Sequence, residues 1–78
     1  KPGLAYLDII HRLNNFSNRP IAAYNVSGEY SMVKAASQRG WINERDVVLE
    51  TLLCFKRAGA KLILSYHACD AANWLKEG

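Results

Sequence analysis

The chain has 78 residues, half of them hydrophobic, with ten basic and seven acidic side chains and a formal charge of +3. A chain this short buries a modest fraction of its surface, so it forms at most one small domain. Its charges are scattered, with no basic run longer than Lys56-Arg57, which argues against nucleic acid, and no apolar run approaches the roughly 18 residues of a membrane span.

Cys54 and Cys69 lack the paired short spacing of a zinc site or a disulfide framework. Two reduced thiols in an intracellular protein are the expectation. The first residue is Lys rather than Met, and Lys1-Pro2-Gly3 leads straight into helical sequence, so the chain reads as a piece of a longer one.

Leu4, Leu7, Ile10, Leu13 and Phe16 recur at three-residue spacing with Ile9 beside them, which predicts an amphipathic helix from Leu4 to Phe16. Ser17-Asn18-Arg19-Pro20 ends it. Ile21 to Val26 is apolar nearly throughout and too short for a helix, which suits a strand of a parallel sheet covered on both faces. Ser27-Gly28-Glu29 then supplies a hydroxyl, a permissive glycine and a first-turn carboxylate where a helix begins, a turn and N-cap at the carboxyl end of a strand.

A helix is expected from Glu29 to Arg39, stopped by Gly40. The next is capped by Asn43, favoured by Glu44 and Asp46 at the positive end of its dipole, and carries a buried stripe of Val48, Leu52 and Phe55 before Gly59. Cys54 falls on its buried face. Lys61 to Tyr66 is the second strand, and Ala68 to Glu77 a closing helix with Trp74-Leu75 on its inner face. The order is helix, strand, helix, helix, strand, helix, an α/β pattern whose about 35 residues between strands allow a crossover and parallel pairing. Two strands do not make a stable sheet of this kind, so the apolar faces call for further partners.

Ser27 and Tyr66 each stand where a strand ends, and by the same alternation the missing chain before Lys1 is expected to be another strand. If the strands are neighbours, spaced about 4.8 Å apart, an amine, a hydroxyl and a phenol converge on one rim. A neutral amine attacks a ketone to give an iminium that acts as an electron sink, while hydroxyl donors hold a carboxylate. His67, Cys69 and Asp70 are too close in sequence to converge on a metal. His11 is expected on a helix surface, Trp41 and Trp74 as core or subunit-contact anchors, and Glu29 as a helix-start charge rather than a general base.

The blocks KPGLAYLDII, AAYNVSGEYSMVKAA, GWI followed by VVLETLL, and KRAGAKLILSYHA resemble, in order and nearly end to end, the C-terminal part of the porphobilinogen synthase (5-aminolevulinate dehydratase) family. The resemblance implies that residues 1–78 are the last quarter of a (β/α)8 TIM barrel, in an enzyme assembled as a homo-octamer that joins two molecules of 5-aminolevulinate into porphobilinogen. It matches Lys1 to the Schiff-base lysine, Ser27 and Tyr66 to the hydroxyls that grip the substrate carboxylate, and Tyr24 to an aromatic wall beside it. It implies zinc or magnesium in the full-length enzyme, with the ligands outside this segment, and a cytoplasmic location, with a plastid as the alternative.

Ala5 stands where the family commonly has Pro, and Asn25 where it has Gln or His, so Asn25 is expected to alter the pocket wall. The family's other active-site lysine and its metal cluster lie upstream, so the segment alone is not expected to be active. Two other readings stay open: a small α/β module that binds anionic metabolites at the Ser27-Gly28 turn, and a Schiff-base aldolase of another substrate class.

Overall fold

The computed structural model of the chain describes residues 1–77. A 3-10 turn over Leu4–Tyr6 runs into α1 (Leu7–Phe16) and is followed by β1 (Ile21–Asn25), α2 (Ser27–Gln38), α3 (Glu44–Ala58), β2 (Ala60–Ser65) and α4 (Ala68–Glu77). The two strands pair in parallel, with Ala23 opposite Ile63, Tyr24 opposite Leu64 and Asn25 opposite Ser65.

Local chemistry sets the limits of α3. The Asn43 side chain accepts the Asp46 backbone N–H at 3.0 Å, Glu44 and Asp46 lie in the first turn, and Lys56 and Arg57 lie in the last. At its end Gly59 takes a φ of 116° and its N–H returns to the last-turn carbonyls. A Cβ there would also come within 2.6 Å of the Asn14 side chain, so glycine is required twice over.

α3 is the hub, packing against α1, α2, α4 and β2. Phe55 and Val48 are wholly buried, and Phe55 joins Ile10, Ala23 and Ala60 in the core, with Leu7, Ile21, Leu52, Ala58 and Ile63 packed around them. Lys34 on α2 meets Glu44 of α3 at 3.0 Å and Asp70 of α4 at 4.0 Å, which links three helices at one point.

Several expectations are corrected. Within this chain the sheet is covered on one face, which leaves open the apolar face for which further partners are expected: Leu62 and Leu64 are 64% and 62% exposed, and Ala22, beside Leu62 in register, is exposed with them. Of the three-residue series only Ile10 is buried, and Phe16 is almost fully exposed, because steps of three drift back by about 60° each around an α-helix and leave any one face. α2 begins at Ser27, so its N-cap is Val26, which has no side-chain cap. Leu75 is exposed, off any inner face of this chain, and the exposure of Trp41 excludes only the core alternative of its two readings. The Trp41 ring lies 5.3 Å from the Arg39 guanidinium, outside the core.

Candidate active site

The site is built on the stem that carries Lys1. The Gly3 N–H donates to the Tyr24 carbonyl at 2.9 Å, and the Leu4 N–H donates to Glu29 Oε2 at 3.1 Å. Gly3 is buried, and a Cβ on it would stand 2.6 Å from Phe55 Cε1 and 2.7 Å from the Tyr24 oxygen. Only glycine permits that approach. Pro2 between them has a fixed φ and no N–H to satisfy, so Lys1 sits on a short, stiff base.

From that base the Lys1 Nζ lies 6.0 Å from the centroid of the Tyr24 ring, a range at which an ammonium is drawn to an aromatic face. The two residues line a hollow of about 290 Å³ with Tyr6, Ile9 and Ala22. Tyr24 also borders a second hollow, of about 170 Å³, with Ser65 and Tyr66. Hydrogen bonding to the Tyr66 side chain, then burial, then the charge of Tyr66 hold the Tyr24 phenol above its ordinary value of 10.0. Tyr24 therefore stands between the amine and the second phenol.

Alternation along β1 explains this arrangement. Tyr24 points to the open face, while its neighbours Ala23 and Asn25 are buried against the helices. Tyr66 follows the last residue of β2, and the Tyr30 ring of α2 packs against it at 5.5 Å between centroids. Ser27, two residues after the end of β1, is exposed in the first turn of α2. It does not line either hollow with Lys1 or Tyr66. Tyr24 shares one hollow with Lys1 and the other with Tyr66, and Ser27, at a helix start with no side-chain cap, is brought to neither.

Sequence reasoning missed the burial of three polar residues on the helix side. Asn25 is 2% exposed and donates to Ser65 Oγ at 2.9 Å, so it does not alter the wall next to Tyr24 but braces the strands from behind. Glu29 is 8% exposed and fastens the Lys1 stem rather than serving only as a helix-start charge. His67 is 1% exposed, with its ring 4.6 Å from that of Tyr30, and burial holds its imidazole below the usual 6.5. The available signal was polarity inside an apolar run, which marks a group that must find a partner.

Among the described residues no three His, Cys, Asp or Glu side chains converge as metal ligands. The His67 ring is enclosed and Cys69 is exposed, so this set does not fit a zinc or magnesium centre. No described helix is long and apolar enough to cross a membrane.

The family model described as delta-aminolevulinic acid dehydratase matches residues 1–74. Proteins named delta-aminolevulinic acid dehydratase from Synechocystis and Bacillus subtilis are 66% and 61% identical over 77 residues. A relative from Chlamydomonas reinhardtii, named as chloroplastic, is 55% identical over 75 residues. The alignments cover 99% of this chain and 24% of each of the two bacterial proteins, and 96% of this chain and 19% of the algal one. The chain thus spans about a quarter of the length of these bacterial relatives. A crystal structure of delta-aminolevulinic acid dehydratase (porphobilinogen synthase) from Toxoplasma gondii, in complex with the reaction product porphobilinogen, superimposes with a TM-score of 0.97 at 51% identity, covering 99% of this chain and 22% of that one.

Proposed function

The chain belongs to the delta-aminolevulinic acid dehydratase family, and from that premise we propose that it is the C-terminal quarter of a (β/α)8 barrel enzyme. That enzyme condenses two molecules of 5-aminolevulinate into porphobilinogen with loss of water, a lyase step of tetrapyrrole and heme biosynthesis. The observation that carries the assignment is the position of Tyr24: the Lys1 amine lies 6.0 Å from its ring centroid and Tyr66 lines a hollow with it. The uncovered sheet face that bears these groups is the barrel interior, and the segment alone is inactive.

Lys1, as the neutral amine, adds the lone pair of Nζ to the ketone carbon of the first 5-aminolevulinate. The carbonyl oxygen takes up one proton from the amine nitrogen and one from solvent and leaves as water, so the nitrogen becomes an iminium. A proton then leaves the adjoining carbon, and its bonding pair neutralises the nitrogen, which makes that carbon a nucleophile. The Ser27 and Tyr66 hydroxyls hold the substrate carboxylate, helped by the positive end of α2, and Tyr24 forms the wall between carboxylate and amine. No step passes through a metal here; the ligands of the zinc or magnesium centre lie outside this segment. The assembly is a homo-octamer in the cytoplasm, or in a plastid as for a relative named chloroplastic.

Borohydride reduction of the full-length protein in the presence of 5-aminolevulinate tests the assignment. It should trap a covalent adduct on the Lys1 peptide, and Lys1→Met should abolish adduct and turnover with the fold intact. Lys1→Arg should fail too, because a guanidinium keeps its charge and forms no imine. An adduct mapped elsewhere, or an active Arg variant, would remove Lys1 as the nucleophile.

A further inference from the structure

Glu29 occupies an unusual position for an acid. It lies in the first turn of α2, two residues after Ser27, yet it is 8% exposed, and burying a carboxylate is costly without compensating hydrogen bonds. One oxygen has such a bond, from the Leu4 N–H across 25 residues of sequence. The other, Oε1, has no hydrogen-bond partner among the described residues, and Glu29 borders a cavity of about 20 Å³ with Asn25, Thr51 and His67. The acid therefore makes one directed contact, and that contact goes to the stem of Lys1.

The geometry of that contact defines a role. On its C-terminal side Lys1 is anchored through two successive amides: Gly3 to the Tyr24 carbonyl, and Leu4 to Glu29. The first fixes the stem to the strand that carries Tyr24, the second to the helix that begins with Ser27. Without the second, the segment after Lys1 is fastened to the strand alone and no longer to the helix. We propose that Glu29 is a positioning residue: its carboxylate, by accepting the Leu4 N–H, fixes the Lys1 amine relative to the carboxylate-holding end of α2. The proposal rests on the assignment of Lys1 as the Schiff-base nucleophile. A reacting amine displaced by about 1 Å loses on the order of a hundredfold in rate, so a distant acceptor can govern the chemical step without touching substrate.

The test uses the full-length enzyme with Glu29→Gln, which keeps an acceptor oxygen, and Glu29→Met, which keeps the volume and removes it. In the Met variant kcat and the rate of borohydride trapping on Lys1 should fall about ten- to a hundredfold, with KM within about twofold because Ser27 and Tyr66 still hold the carboxylate. Glu29→Gln should restore most of the rate. A folded Met variant with the wild-type trapping rate would overturn the proposal, as would a Gln variant as slow as Met. Absence of any adduct on Lys1 in the wild type would instead sink the nucleophile assignment beneath it. Should Glu29→Met not fold, hydrogen exchange on the wild-type protein decides: a Leu4 amide protected like those of β1 supports the bond, and one exchanging like an open loop overturns it.

Discussion

The Asn25 side-chain amide donates to the Ser65 hydroxyl at 2.9 Å, joining the last residues of two strands that lie 40 apart in sequence. The same hydroxyl accepts the His67 backbone N–H at 3.1 Å. One oxygen thus ties β1, β2 and the turn after Tyr66, directly behind the face where Tyr24 and Tyr66 meet.

Asn25→Ala removes this donor from a fully buried position. A lost buried hydrogen bond costs about 1–3 kcal/mol, and the small cavity left behind adds to it. Thermal unfolding of the full-length protein should show a lower Tm than wild type, with a smaller drop for Asn25→Gln. An unchanged Tm for the Ala variant would mean that the bond contributes nothing to stability.

Gly3→Ala is expected to be damaging although Gly3 has an ordinary φ of -61°. The added Cβ would meet both the buried Phe55 ring and the Tyr24 backbone oxygen below 3 Å, and only the ring can yield. Overpacking of this kind costs about 1–3 kcal/mol, and it pushes out the stem that carries Lys1. Both Tm and turnover should fall, whereas a variant with wild-type kcat would show that the stem has room to spare.

Ser27→Ala and Tyr66→Phe should each weaken substrate binding, since a hydrogen bond to a charged carboxylate is worth about 1.5–3 kcal/mol. The expected readout in the full-length enzyme is a KM raised roughly tenfold or more, with a lesser change in kcat. Tyr66→Phe should also bring the Tyr24 phenol back toward its usual range, because the Tyr66 side chain is the main cause of its rise. Ultraviolet titration of tyrosine reads that second effect independently of activity.

His67 makes stability depend on pH. Burial is the main cause of its lowered value, with Lys34 acting in the same direction and Glu44 and Asp70 against it. Because the folded-state value lies below the unfolded one near 6.5, the unfolded chain takes the proton first as pH falls. The stabilisation is complete above the unfolded value and is lost as pH drops below it toward the folded value. Tm should decline as pH falls below about 6.5, and His67→Phe should flatten that part of the profile. Identical slopes for the two proteins would assign the decline to other groups.

Helices and strands were legible in the sequence wherever their signals are local. The Asn43 cap, the charges at both ends of α3 and the Gly59 stop act within a turn of one another, so a few neighbouring residues decide them. The placing of Ser27 and Tyr66 after strand ends followed from the same local reading, because a strand end and a helix start are both written in adjacent residues. The identity of the face was not. The five apolar-rich residues of β1 do not say that Tyr24 faces outward and Asn25 inward, since both faces look alike until α1 and α3 cover one of them. Nor does a first-turn Glu announce that it is buried under a stem 25 positions earlier, or a His after a strand that Tyr30 encloses it. Those facts depend on contacts between segments far apart in the chain. Such contacts exist only once packing has brought the segments together, and there the burial of a polar group forces it to find its partner.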